Sequence, residues 1–539
     1  MPSTRSMRSE ATPPNGNLPH RVRPSSATAS SIEMNDLTHA QSFTAPKVRR
    51  AGMARRAMKT GKRWLFYTHR WLGVTTCILS VMWFLSGLVM LYVPFPVWND
   101  EQRVASLPAI APGTVKVLPD EALARSGLTA LPSVFRLEMG GAEPVYRLVA
   151  SGKHVSVSAV SGEPVSDVSE ADARRVVGAT FGEKIARASV IDYDQWTVTR
   201  KYDPYRPLYK LELGDAAATV VYVSSRTGEI VQDTTHFERV WNWLGAIPHW
   251  IYFSPIRRDA DLWHQVVVWL SGPMIIGAVA GMWIGILRLR PSRAAKGKSM
   301  TPHRGWMKWH HLGGLIGGLF LVTWIASGWL SMNPFKLFAR TQNTDAQRAA
   351  YAGRASPPTL GVTSEALAAA IGTSASELSF AWVGATPIML ARKPGGSALL
   401  AASTGSPLAL DQTLLVKAAQ AAYPADRIAA VDLLTEEDVY WYSHHRKRPL
   451  PVLRVQFEDA NRTWLIIDPQ TGEIAGLSDS SARTYRWLFN FLHDYDLPVL
   501  LRNQPARDGI VWLLSIAGLI ISVSGVVVGW RTLTRGKFP

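Results

Sequence analysis

Only one cysteine, Cys77, occurs in 539 residues, and it lies inside an apolar run. A lone thiol excludes an intrachain disulfide framework, a c-type haem attachment motif and any cysteine-built zinc or iron–sulfur centre within one chain. Charge is scarce as well: Asp, Glu, Lys and Arg make up 18% of the chain against 47% apolar residues, lean for a soluble protein. No Ser/His/Asp or paired-carboxylate pattern stands out, and no G-x-G-x-x-G or other dinucleotide loop appears. Acidic residues are outnumbered, 41 against 58 basic, for a formal net charge of +17. Such a balance suggests nucleic acid until the positions are read. Many of the basic residues lie beside apolar runs or in the N-terminal tail, where they orient helices or meet anionic lipid, so membrane lipid and not nucleic acid is the expected partner.

Four segments are long enough to cross about 30 Å of hydrocarbon as helices: roughly Trp71–Val93, Val266–Leu287, Leu312–Met332 and Ile510–Trp530. Basic residues precede the first (Lys47 to Arg63), fill the short connection between the second and third (Arg288 to Arg304), and follow the fourth (Arg531, Arg535, Lys537). Four crossings put all of these on one side, the cytoplasmic one. The expected fold is therefore a membrane protein with four transmembrane helices in two pseudo-symmetric halves, each carrying a periplasmic α+β domain. Its divisions are a disordered basic tail over 1–60, helix 1 over 61–94 and an outer domain over 95–239. An interfacial helix with helix 2 over 240–290, a loop over 291–304 and helix 3 over 305–333 follow. A second outer domain over 334–482, an interfacial helix with helix 4 over 483–532, and a tail over 533–539 complete the chain. His20 and His39 in the first tail read as solvated bystanders. Both termini are expected on the cytoplasmic side.

The halves read as copies. "HRWLG" from His69 and "HHLGG" from His310 stand 241 residues apart, as do "WFLSG" (Trp83–Gly87) and "WIASG" (Trp324–Gly328). A second ungapped register, of 244 residues, relates Trp243, His249, Gly281 and Gly285 to Trp487, His493, Gly525 and Gly529. In the outer segments "TVVYVSSRTGEIV" and "TWLIIDPQTGEIA" share apolar alternation followed by T-G-E-I. Each outer segment reads as two small α+β units, with helices at "SEADARRVVGATF" and "DQTLLVKAAQAAY".

Both copies keep a histidine at two depths. His69 and His310 stand at the cytoplasmic entrances of the first and third spans, His249 and His493 on aromatic segments at the outer face. Polar side chains at membrane depth are costly and are usually functional. If the halves pack about a pseudo-two-fold axis, equivalent imidazoles face each other across a space suited to six-coordinate b-type haem, which needs no cysteine. His311 is the second choice for His310, and His264 for His249. The plain alternative is that these rings are interfacial anchors, as Trp and Tyr are. Small residues, Gly87, Gly281, Gly285, Gly317, Gly318, Gly328, Gly518 and Gly525, let helices approach closely and leave room for a porphyrin.

The strings "YTHRWLG", "LGAIPHWIYFSPIRR", "WHHLGGLIGG", "RPLPVLRVQFED", "WLIIDPQTGEI" and "RWLFNFLHDYDLP" resemble the PepSY-associated transmembrane family, and within it the siderophore-linked inner-membrane reductases, over residues 60–535. The resemblance implies PepSY-like outer domains and a haem-carrying reductase, with two haem b groups expected, that delivers electrons to a ferric siderophore in the periplasm. Some members are fused to flavin-reductase modules. With no dinucleotide loop here, the donor is expected to be external, a quinol or a separate flavoprotein. "YDPYRPLYKLEL" and "SHHRKRPLPVLRVQF" both set basic and aromatic residues before a strand. Arg206, Arg448, Tyr202, Tyr205, His444, His445 and Lys447 there are candidate contacts for an anionic chelate or a haem propionate, or simply exposed basic loops. Two rival readings are a PepSY-type membrane sensor or binding protein without redox activity, and a siderophore or metal transporter. The second is disfavoured by spans almost free of charge.

Overall fold

A computed structural model describes residues 45–339, 341–353, 359–444 and 447–535. The expected tail before residue 45, with His20 and His39, lies outside them, as does His445. The chain divides into two units, 1–60 and 61–539; the described part of the first is helical from Ala45 onward.

Four helices are long and apolar enough to span a membrane: Met58–Met90, Ala260–Arg288, Trp306–Ser331 and Gln504–Thr534. Each begins earlier than its apolar run, because backbone hydrogen bonding carries a helix past the last apolar residue into flanking polar sequence. Only 11–28% of each apolar window is buried within the protein, so most of that surface faces outward and requires an apolar surrounding.

Glycines set how these helices touch. A methyl on Gly277 would stand 3.1 Å from Leu72, and one on Gly529 3.4 Å from Val74, so the first helix packs on the second and fourth. A methyl on Gly317 would meet Ala517 at 3.2 Å, and one on Gly318 would meet Met282 at 2.9 Å, so the third helix packs on the same two.

The long segments between helices fold as sheets. The first holds β1 (Val134–Met139), β2 (Pro144–Ala150), β3 (Lys153–Ser158) and β4 (Pro164–Val165), then β5 (Ile185–Ile191), β6 (Leu208–Leu213), β7 (Val220–Ser224) and β8 (Ile230–Thr234). The second holds β9 (Glu377–Val383), β10 (Thr386–Lys393) and β11 (Gly396–Ala401), then β12 (Ile428–Leu434), β13 (Val452–Phe457), β14 (Trp464–Ile467) and β15 (Ile474–Ser478). The helices expected between strands occur at Glu170–Phe181 and Gln412–Ala422. A capping box of Ser169 and Asp172 starts the first of these. Both T-G-E-I turns place their glycine, Gly228 and Gly472, at φ of +71° and +73°, a conformation that side chains disfavour.

Strands β5–β8 and β12–β15 form separate four-stranded sheets, whereas the remaining strands join in one seven-stranded sheet of order β11-β10-β9-β1-β2-β3-β4. Its centre is the antiparallel pairing of β1 with β9, Arg136 opposite Ser379 and Glu138 opposite Glu377. One core therefore draws on both segments, with Phe135, Leu137 and Tyr146 beside Leu378, Phe380 and Met389. The two facing carboxylates are buried, and arginines neutralise them. Arg103 reaches both, at 2.7 Å from Glu138 and 2.5 Å from Glu377. Arg136 and Arg147 complete the shell of Glu138 at 2.9 and 3.1 Å. Burial pushes the Glu138 carboxyl upward, but these three guanidiniums outweigh it and hold it at about 2.

Candidate functional site: two facing histidine pairs

His249 is carried by a short helix, Ala246–His249, that follows the amphipathic helix His236–Leu244. Ile247 anchors that carrier in a core with Trp196, Leu208, Val220 and Tyr222, so the β5–β8 sheet fixes where the imidazole stands. His493 ends a wide-wound π-helical stretch, Arg486–Asp494, a winding that is rare and frequent at functional sites. Buried Arg486 holds that stretch by donating to the Val439 and Asp496 carbonyls at 2.5 and 2.9 Å. His69 and His310 project from the first and third long helices.

The four rings meet in two pairs. His69 faces His310 with ring centres 5.9 Å apart and planes inclined by 30°. His249 faces His493 at 6.2 Å and 68°. In every ring Nδ1 is engaged. His69 Nδ1 donates to the Gly277 carbonyl at 2.9 Å, and His310 Nδ1 to that of Ile521 at 3.1 Å, with Ser524 Oγ at 3.3 Å. His249 Nδ1 donates to the Trp83 carbonyl at 3.1 Å, with Ser86 Oγ also at 3.1 Å. His493 Nδ1 meets Ser327 Oγ at 3.0 Å. Trp324 Nε1 secures the backbone there by donating to the His493 carbonyl at 3.0 Å.

Among the described residues nothing hydrogen-bonds Nε2 in any of the four rings. Fixing the tautomer through Nδ1 while leaving Nε2 with its lone pair is how proteins present imidazole to a metal. Burial, then the facing His493 ring, lowers His249 to about 3, and burial lowers His493 to about 4, so both rings are neutral, the form that ligates.

Each ring also rests on its own glycine. A methyl built on Gly281 would lie 2.5 Å from His69 Cε1, and one on Gly525 3.4 Å from His310 Cε1. Gly87 and Gly328 stand the same way, at 3.2 Å, against His249 and His493.

Two imidazole nitrogens about 2 Å from one shared iron, each roughly 1.1 Å from its ring centre, put the centres about 6.2 Å apart. Observed spacings of 5.9 and 6.2 Å match that figure. Among the described residues no group of three or more His, Cys, Asp or Glu gathers as a metal cage. The donor set is thus two nitrogens per centre, which fits a metal whose other four positions are filled by a macrocycle.

The second-choice histidines are placed otherwise. His311 has both nitrogens bound: Nε2 donates to the Gly285 carbonyl at 2.9 Å, and Nδ1 meets Thr301 Oγ1 at 2.7 Å. His264 directs Nε2 to the Met332 carbonyl at 2.9 Å. Both tie helix to neighbouring backbone.

The basic loops are bonded locally. Arg206 is bound within its own loop, to Asp203 at 2.9 Å, to the carbonyls of Thr197 and Thr199 at 2.7 and 3.2 Å, and to that of Asp192, so it braces that loop. Tyr202 is buried. Arg448 stacks over Trp441 at 4.5 Å, and His444 Nε2 accepts from Arg507 at 3.1 Å. Lys447 is exposed.

The serines behind the rings, Ser86 and Ser327, carry a role that reading the sequence missed. Their signal was present, since both stand in the repeated W-x-x-S-G strings. No family model matches this chain, and neither a curated protein nor a solved structure does.

Proposed function

We propose that this chain is a haem-carrying oxidoreductase of the bacterial inner membrane that passes electrons across the bilayer to a ferric siderophore in the periplasm. The observation that carries this reading is the geometry of the two histidine pairs: matched spacing, Nδ1 engaged, Nε2 unencumbered. His69 with His310 would hold one b-type haem, and His249 with His493 a second. A haem held there would supply one-electron ferric–ferrous chemistry.

The chain's own residues supply position and environment. Eighteen residues separate His69 from Gly87, and His310 from Gly328, so the two pairs lie about 27 Å apart in depth along the first and third helices. One pair stands toward each surface. Carbonyl and serine partners fix the rings, glycines seat them, and each ring is half-buried.

The substrate class and the external donor, a quinol or a flavoprotein, rest on the resemblance to PepSY-associated reductases. So do the pseudo-two-fold relation of the halves, the periplasmic placement of the sheet domains and the cytoplasmic placement of both termini, with support from the repeat and the basic flanks. The test is the dithionite-reduced spectrum and pyridine haemochrome of purified full-length protein, followed by anaerobic reoxidation with ferric chelates. Two haem b per chain, reoxidised by ferric siderophore, is the expected result. A colourless protein overturns the reading.

A further inference from the structure

The duplicated plan provides an internal control: what the fold requires recurs in both copies, and what stands in one copy alone serves something else. On that criterion one cavity of the first sheet domain stands out. It measures about 270 Å³, and Lys153, His154, Val155, Val165, Pro204 and Arg226 are among the residues that line it. Lys153 and His154 begin β3 just after the turn from β2, where Lys153 pairs with Ala150. The corresponding hairpin of the second copy pairs Gly396 with Lys393, so Gly396 and Ser397 stand where the first copy has Lys153 and His154. Arg226 of "SSRTGEI" corresponds to Gln470 of "DPQTGEI". These three positions are basic in the first copy and uncharged in the second.

We propose that this cavity binds a small organic acid through its carboxylates. Among the described residues neither Lys153 nor Arg226 has an acidic partner. The nearby acid Glu229 is paired with Arg136 at 2.6 Å, and Ser156 Oγ is bound by Arg147 at 2.8 Å. His154 Nδ1 is buried without a hydrogen-bond partner, its ring held edge-on against Tyr205 at 4.8 Å. A buried polar atom without a partner is costly and calls for an explanation, which a ligand oxygen would supply. The guanidinium fork and the ammonium suit carboxylate oxygens. Bare phosphate sites rely on helix N-termini or nests of backbone N–H groups, and this cavity is instead walled by Val155, Val165 and Pro204, which suit a carbon skeleton.

The test is isothermal titration of full-length protein in detergent with citrate, and with inorganic phosphate at the same ionic strength. Arg226→Gln and His154→Ser install what the second copy carries and so leave the fold intact; Lys153→Gln is a third, independent variant. Saturable citrate binding that weakens about tenfold or more in each variant is expected. Three results overturn the inference: no citrate binding by the wild type, equal binding by the variants, or phosphate bound in preference to citrate. The site does not rest on the haem reading, because haem content is read separately and is expected to be unchanged in all three variants.

Discussion

Replacing Gly281 with alanine is the sharpest available perturbation of the inner histidine pair. The added methyl would sit 2.5 Å from His69 Cε1, 2.7 Å from Nδ1 and 3.3 Å from Nε2. Ordinary carbon contacts lie near 3.5–4.0 Å, so the imidazole must retreat by about 1 Å. That retreat stretches its 2.9 Å bond to the Gly277 carbonyl beyond hydrogen-bonding range. Overpacking costs about 1–3 kcal/mol, and loss of the orienting bond lowers metal affinity by about 10–100-fold. The helix itself gains, because alanine is favoured over glycine by about 1 kcal/mol; lost colour would therefore report the ring and not the fold.

Gly525→Ala is the matched control across the same pair. Its methyl would stand 3.4 Å from His310 Cε1, a distance that small adjustments absorb. Haem per chain by pyridine haemochrome, with thermal unfolding alongside, separates the two. Gly281→Ala should lose one of two haems with unfolding little changed, and Gly525→Ala should keep both. Equal haem content in the two variants would refute the assigned seating of His69.

His311→Ala and His264→Ala should retain both haems while lowering stability by about 1–3 kcal/mol, since each leaves a carbonyl partner unmet; haem content and thermal midpoint measured together check this. Ser327→Ala removes the 3.0 Å partner of His493 Nδ1 and should weaken retention of one haem about tenfold, read by competition with apomyoglobin. Arg103→Met leaves Glu138 and Glu377 facing each other with less compensation and should cost about 3–5 kcal/mol, read from denaturant midpoints. Glu138 titrates at about 2 in the fold against an ordinary 4.5. Its depressed value gives stability that is full above about 4.5 and is lost as pH falls toward 2, so Glu138→Gln should flatten the acid limb of a stability profile.

The four helices were legible because membrane spans announce themselves by length and apolarity, and the His249 and His493 positions because one register aligned them without gaps. The fusion of β1 with β9 was not legible. Each strand reads as an ordinary half-buried run, and nothing local in "VFRLEM" or "ELSFAWV" names a partner some 240 residues away. Glu138 and Glu377 are buried where they oppose each other across that seam, a setting that no neighbour in sequence announces. Arg206 and Arg448 share R-P-L, yet they settle differently, one on backbone carbonyls and the other on Trp441, because the loops around them diverge. His311 stood second to His310 in sequence; Thr301 and the Gly285 carbonyl, which engage both its nitrogens, distinguish the two.

Because β1 takes β9 as its neighbour, a ribosome that has finished only the first copy has made a domain with an open edge and with Arg103 short of one of its two carboxylates. Such a half is adhesive and incomplete. Neither imidazole pair can close in it either, since each needs one ring from either copy. Maturation is thus all-or-nothing across the whole length of the chain, and split or truncated versions should be degraded before they ever acquire colour.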